Sequence, residues 1–189
     1  ADEPYRRPPM DESIRRYANL VTPPGERGQY SNLGYGIIDY VLERVSGKSY
    51  PDFMREEVFV PLGLTRMSVH IGPVLGDFTA TRYTPDGTPY PFYDFDHPGG
   101  SAVFASAHDL VRFGMFHLKN HLPGQRPVLA DSTIDAMQSV GPPSNTFRGN
   151  EYGLGWSLDI DVLGFRSIYH GGQTTGVSNF LVMVPSEDL

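Results

Sequence analysis

The chain contains no cysteine. That excludes a disulfide framework, a thiolate nucleophile and a cysteine-ligated zinc site, and it leaves periplasmic, secreted and cytoplasmic locations equally open. Basic side chains are also in deficit, with 15 Lys and Arg against 22 Asp and Glu and a formal net charge of -7. Nucleic acid and anionic membrane both demand a basic face, so neither is expected as a partner. No apolar run is long enough to span a bilayer, so no membrane span is expected. The start, Ala1-Asp2-Glu3-Pro4, has neither the charge nor the apolar segment of a signal peptide, as in a mature or clipped secreted protein. Internal repeats and low-complexity linkers are absent too. What remains is 189 residues, 39% of them hydrophobic, enough for one sizeable core or two small ones.

Two textures follow one another within a single α+β domain. Residues 1–150 read as a mainly helical region with a long loop, and 151–189 as antiparallel strands. A first helix is expected from Asp11 to Val21, capped near Asp11, with Ile14, Tyr17, Ala18 and Val21 at helical spacing. A second runs from Gly34 to Ser46, burying Ile37, Ile38, Val41, Leu42 and Val45 on one stripe and stopping at Gly47. A third covers Tyr50 to Val58, with Phe53, Met54 and Val58 inward, and Pro61 ends it. Met67 to His70 reads as a short extended piece. A helix beginning at Ser106 with capping-box-like spacing runs to about Asn120, and another from Asp131 to Val140 has Asp131 as its cap. Tyr152 to Ile160 alternates toward its end, and Phe165 to Tyr169 and Val177 to Val184 are β-branched or aromatic runs bounded by glycines, giving an antiparallel sheet of at least three strands.

Between the first two helices lies Pro23-Pro24-Gly25-Glu26-Arg27-Gly28-Gln29-Tyr30-Ser31-Asn32. Pro-Pro-Gly makes a turn, because proline presets φ and glycine supplies the left-handed conformation. The turn delivers Tyr30 and Asn32 on a rigid loop, two positions apart and able to converge on one small volume. Residues 71–100 hold glycine, proline and crowded aromatics (Tyr83, Tyr90, Phe92, Tyr93, Phe95), which read as the wall of a substrate cleft. Asp94, Asp96 and His97 in those surroundings read as turn formers rather than a carboxylate site. His117 and His121 stand one helical turn apart but lack the glutamate of His-Glu-x-x-His, and neither metal nor cofactor is expected. Gly176-Val177-Ser178-Asn179-Phe180 is not a nucleophile elbow, since Phe180 replaces the second glycine.

The string from Pro23 to Tyr50, followed by Phe59-Val60-Pro61-Leu62-Gly63, resembles the serine β-lactamase and penicillin-binding-protein-like family, in its class C, esterase and D-amino-acid-peptidase branch. Tyr30-Ser31-Asn32 matches that family's Tyr-x-Asn signature, Pro98-Gly99-Gly100 its glycine pair, and His170-Gly171-Gly172 its third signature in the His-x-Gly form. The resemblance implies a β-lactamase-like fold, an antiparallel sheet with flanking helices plus a helical region. It implies acyl-serine hydrolysis of an ester, amide or β-lactam, with a small-molecule or peptide substrate.

Acyl transfer needs a nucleophile, a base, an acid for the leaving group and donors for the oxyanion. Within the resemblance Tyr30 is the base and then the acid. A phenol titrates near 10 in water, so this role needs neighbouring positive charge, part of it from a lysine. His170, expected to be partly protonated at neutral pH, is the second partner. Asn32 orients the acyl side chain or the lysine. Gly171 and Gly172 line the cleft, Gly172 allowing close approach of substrate, and the N–H of Gln173 is the oxyanion donor.

The family's nucleophile lies in Ser-x-x-Lys upstream of the Tyr-x-Asn loop, and no Ser-x-x-Lys occurs in this sequence. Ser13-Ile14-Arg15-Arg16 has arginine where the lysine belongs, and arginine cannot shed its proton to act as base. The nucleophile is therefore expected upstream, the fold incomplete at both ends, and this chain alone hydrolytically inactive. An incomplete sheet exposes an unpaired edge, through which self-association is expected. The other reading is a noncatalytic module on the same fold that binds a peptide or cell-wall fragment through the aromatic loop. Histidine rather than lysine at 170 weakens the fixed charge available to a β-lactam carboxylate and favours an esterase or peptidase.

Overall fold

The computed structural model describes residues 8–189 apart from 73–74, 94, 96, 102, 142–145 and 148. Helix α1 (Met10–Tyr17) follows Pro9 and carries Asp11 and Glu12 in its first turn and Arg15 and Arg16 in its last, the order the helix dipole favours. Asp11 is thus a first-turn residue rather than the expected cap. The helix ends four residues before Val21, because Ala18 leaves the helical region at ψ 76, and Leu20 and Val21 beyond it are largely exposed.

The Pro23-Pro24-Gly25-Glu26 turn forms as expected, the Glu26 N–H donating to the Pro23 carbonyl at 3.2 Å with Gly25 at φ +81. Helix α2 (Asn32–Ser46) then starts on Ser31, whose hydroxyl accepts from the Gly34 N–H at 3.0 Å. That cap begins the helix two residues before Gly34, so Asn32 is its first residue and not part of the loop. Gly47, left-handed at φ 70, ends it.

Helix α3 (Tyr50–Met54) is capped by Ser49 and continues as a π-helical turn over Arg55–Phe59. Phe59, Leu62 and Leu64 then enter a core with Tyr50, Met67, Val69, Phe116 and Ile134, against which Leu42, Met54, Val58 and Phe113 pack. Strand β1 (Met67–Ser68) pairs antiparallel with β4 (Phe104–Ala105). Within the long segment between them, β2 (Arg82–Tyr83) and β3 (Pro89–Tyr90) form a small hairpin, and Pro98–Ser101 is a single turn of helix, α4.

The turn α4 decides which face α2 buries. Its Gly99 N–H donates to the buried Asp39 carboxylate at 2.6 Å, and a Cβ on Gly100 would overlap the Asn32 carbonyl oxygen. The buried positions of α2 are accordingly Gly36 and Asp39. The expected apolar stripe is corrected: Ile38 and Val41 are about half exposed and Val45 is 82% exposed, leaving Leu42 as the stripe residue that reaches the core.

Helix α5 (Ala107–His117) has Ser106 as cap, accepting from the Asp109 N–H at 3.1 Å, while the buried Asp109 carboxylate accepts from the Arg66 N–H at 2.5 Å. Helix α6 (Asp131–Met137) is entered from Ala130, so Asp131 is a first-turn residue and not the cap. The chain closes with β5 (Thr146–Phe147), β6 (Asn150–Tyr152), β7 (Ser157–Val162), β8 (Phe165–Thr174) and β9 (Val177–Met183), an antiparallel sheet in sequence order. Leu158, Ile168 and Met183 of the sheet, with Trp156 just before β7, meet Phe113 of α5, Met137 of α6, and Leu118 and Val140 just beyond those helices. Phe113 packs in both clusters and joins the two layers. No helix among the described residues is long and apolar enough to cross a membrane.

Candidate active site

Tyr30 sits at the end of the Pro-Pro-Gly loop, just before the Ser31 cap. Its ring stacks on His170 of β8, centroids 6.4 Å apart and planes inclined by 24°, and the Tyr152 ring of β6 stands edge-on to it at 6.1 Å. Tyr152 is held by the turn that follows it. The Gly153 N–H donates to the Trp156 carbonyl at 2.8 Å and the Leu154 N–H to the Met137 carbonyl at 2.9 Å, at the end of α6. Tyr35, one turn into α2, belongs to the same group, since a Cβ on Gly155 would lie 3.3 Å from its hydroxyl. Burial pushes both Tyr35 and Tyr152 up, and proximity to Tyr30 adds to the rise in each. Two neutral phenols thus surround the ring that the sequence singled out.

Strand β7 pairs with β8 only as far as Ser157↔Tyr169. Beyond it, residues 170–174 have β9 on one side and, among the described residues, no strand on the other. An extended substrate could add to such an edge through main-chain hydrogen bonds. Alternation along β8 places His170, Gly172 and Thr174 on the face that also carries Ile168 and the helices. Gly171 and Gln173 belong to the opposite face, where the Phe180 ring covers Gly171. Gln173 can therefore serve the open edge with its backbone alone.

The imidazole of His170 is half-buried, and that burial pushes it below the ordinary histidine value, against a smaller upward pull from a hydrogen bond with the Gly171 backbone. Burial thus works against the partial protonation expected for this ring, since desolvation favours the neutral form. Asn32 is exposed at the first position of α2, its carboxamide without a hydrogen-bond partner among the described residues. It is brought to the same helix entrance as Tyr30.

The aromatic segment walls the far end of the open strand. The Tyr93 hydroxyl hydrogen-bonds the Thr174 hydroxyl, and a Cβ on Gly176 would press on the Tyr83 backbone. Behind this contact Arg82, 7% exposed, lies 4.7 Å from the ring centroids of both Phe92 and Tyr93 and donates to the Pro91 carbonyl at 3.0 Å. Sequence reasoning found the aromatics but missed Arg82, Tyr35 and Tyr152. The glycines at 153 and 155, which permit close approach of backbone to neighbours, were the available signal for Tyr152.

Other sequence candidates are kept apart. Ser13 is 6% exposed in α1, whereas Arg16 turns outward to Glu12. His117 is buried among Phe113, Phe116 and Trp156, while the exposed His121 faces Asp131 at 3.1 Å. Asp94 and Asp96 lie outside the described residues, and the His97 ring meets Phe95 at 6.2 Å. No group of three or more His, Asp or Glu that could hold a metal ion occurs among the described residues.

Comparison with known proteins adds an independent line. The Beta-lactamase family model matches residues 2–189. Penicillin-binding protein 4 of Amycolatopsis lactamdurans is 29% identical over 193 residues, a match covering 93% of this chain and 50% of that protein. An unguisins hydrolase of Aspergillus campestris is 26% identical over 180 residues, covering 90% of this chain and 33% of that protein. The chain thus spans between a third and a half of these curated relatives. Among solved structures, a class C beta lactamase from Rhodobacter sphaeroides aligns with a TM-score of 0.76 at 18% identity, over 98% of this chain and 60% of that one.

Proposed function

We propose, from the premise that this chain belongs to the Beta-lactamase family and has the β-lactamase-like α+β fold of serine β-lactamases and penicillin-binding proteins, that it carries the proton-transfer side of a serine acyl-transfer site. The observation that carries the reading is the stacking of Tyr30 on His170 beside the open half of β8. A substrate laid along that edge has its carbonyl next to the phenol. A serine supplied from sequence upstream of this chain attacks the carbonyl carbon, and Tyr30 takes the hydroxyl proton as the new C–O bond forms. Collapse of the tetrahedral intermediate breaks the bond to the leaving group, to which Tyr30 returns that proton. Water then repeats the sequence on the acyl-serine and releases the acid. The Gln173 N–H is the donor for the oxyanion, and Asn32 holds the acyl side chain.

His170, whose burial favours the neutral ring, contributes a hydrogen-bonding imidazole rather than a fixed positive charge. That supports an ester or peptide-like amide over a β-lactam, whose carboxylate calls for a cation. A relative named as a hydrolase accords with hydrolysis. The outer edge of β9 has no strand partner among the described residues, which supports self-association of the isolated chain by strand pairing.

Intact-mass spectrometry tests this reading after exposing the chain, and its longest natural form, to a fluorophosphonate and to a penicillin. One adduct per molecule on an upstream serine of the longer form is the expected result. An adduct on the short chain would reopen Ser13. Failure of both forms to react would favour a noncatalytic module that binds a peptide or cell-wall fragment through the aromatic segment, a reading supported by the contact of Tyr93 with Thr174 of β8.

A further inference from the structure

The glycine at 172 has a second explanation in the structure. Register pairs Gly172 of β8 with Asn179 of β9, between the pairs His170↔Leu181 and Thr174↔Val177. Paired residues of antiparallel strands share a face, so Asn179 lies on the same face as His170 and Thr174. A Cβ on Gly172 would stand 2.8 Å from Oδ1, 3.1 Å from Nδ2 and 3.3 Å from Cγ of Asn179. The carboxamide therefore rests on the space where a side chain at 172 would be. Asn179 is exposed, and its carboxamide has no hydrogen-bond partner among the described residues. It stands one strand repeat, about 7 Å, from the pair that holds His170. On its other side is Thr174, tied to Tyr93. The floor of the open strand thus carries one unpartnered polar side chain, set between the stacked Tyr30 and His170 rings and the aromatic wall.

We propose that Asn179 is a specificity-determining residue whose carboxamide pairs with a peptide amide in the substrate, so that the site takes acyl groups bearing such an amide in preference to simple esters. The proposal rests on the reading of the open edge of β8 as the substrate site. A carboxamide presents two N–H donors and one carbonyl acceptor in a plane, which matches the carbonyl and N–H of a secondary amide. It carries no charge, so it gives no advantage to a carboxylate. A substrate without an amide leaves it in water at no cost, whereas an amide-bearing substrate exchanges two solvated groups for a matched pair, worth about tenfold in selectivity. Gly172 is then required because any side chain there displaces the carboxamide.

The test uses the protein carrying this sequence at its full natural length, with Asn179→Ala and Asn179→Asp. The p-nitrophenyl ester of N-acetylglycine supplies an amide next to the acyl carbon, and p-nitrophenyl acetate supplies none. Asn179→Ala is expected to lower kcat/KM about tenfold for the N-acetylglycine ester, chiefly through KM, and to leave the acetate ester unchanged, which also reports an intact fold. Asn179→Asp, which keeps an acceptor and loses both donors, is expected to show the same split. Equal loss on both esters, or no loss on either, overturns the proposal. If the unaltered protein hydrolyses neither ester, the serine-hydrolase reading fails, and Asn179 is judged by NMR titration with N-acetyl-glycyl-glycine amide. Binding weakened about tenfold by Asn179→Ala supports the contact. Equal affinity in the two proteins, or no binding to the unaltered one, rejects it.

Discussion

Tyr30 and His170 lie ring beside ring, centroids 6.4 Å apart and planes inclined by 24°, which ties the loop before α2 to the open half of β8. Phenylalanine at position 30 preserves that stacking and removes only the hydroxyl. In the protein at full natural length, Tyr30→Phe is therefore expected to lower kcat by about 10²–10⁴, the range for a positioned general acid or base, with KM nearly unchanged. Steady-state kinetics on an activated ester measure this; a kcat that survives the exchange removes Tyr30 from the proton path.

The other ring of the pair titrates low. Burial holds the His170 imidazole below its ordinary value, so the folded protein takes up this proton at a lower pH than the unfolded chain does. Its contribution to stability is complete above the ordinary histidine range and is lost as the pH falls below it. Side-chain NMR titration is expected to give a His170 midpoint below about 6.5. A midpoint at or above that value means that a neighbour stabilises the imidazolium, and with it the cationic role expected from sequence.

Local signals were legible. Pro23-Pro24-Gly25 gave its turn, Gly47 its helix stop and Ser106 its cap, because each depends on a residue and the four or five positions around it. The face of α2 was not. Ile38, Val41 and Val45 make an apolar stripe, yet the helix buries Gly36 and Asp39 because Gly99 and Gly100, some sixty positions on, need close backbone approach. Tyr30 and His170 could be paired as members of recurring motifs, whereas the protonation of His170 is set by burial, which no motif records. Tyr152 and Arg82 escaped notice for the same reason, since their neighbours come from segments remote in the chain.

The close approach at Gly100 gives a stability test. A methyl group there meets the Asn32 carbonyl, a backbone atom that cannot swing aside. Gly100→Ala is expected to destabilise by about 1–3 kcal/mol, the usual cost of forcing extra volume into a packed contact. Because it pushes on the first residue of α2, it is also expected to shift the amide resonances of Asn32 and its neighbours. Urea unfolding and NMR read the two effects, and a variant as stable as the parent would show that α4 moves off α2 freely.

His117 offers the sharpest dependence on pH. It is 3% exposed, its ring lies 4.7 Å from Phe113 and 4.9 Å from Trp156, and its Nδ1 has no hydrogen-bond partner among the described residues. Burial pushes the imidazole down to about 4 from the usual 6.5. Between those values the unfolded chain binds the proton and the folded one does not, so stability falls as the pH drops through that window. The loss approaches about 3 kcal/mol once the pH is below both values. Replacing the ring by an apolar side chain of similar bulk, His117→Leu, removes this proton from the balance. Urea unfolding at about pH 7 and about pH 4.5 is therefore expected to show the parent losing more stability than the variant by most of that amount. Carboxylates elsewhere titrate in both proteins and cancel in the difference. Equal losses would mean that the folded protein accepts a proton at His117 as readily as the unfolded chain, which burial among Phe113, Phe116 and Trp156 forbids.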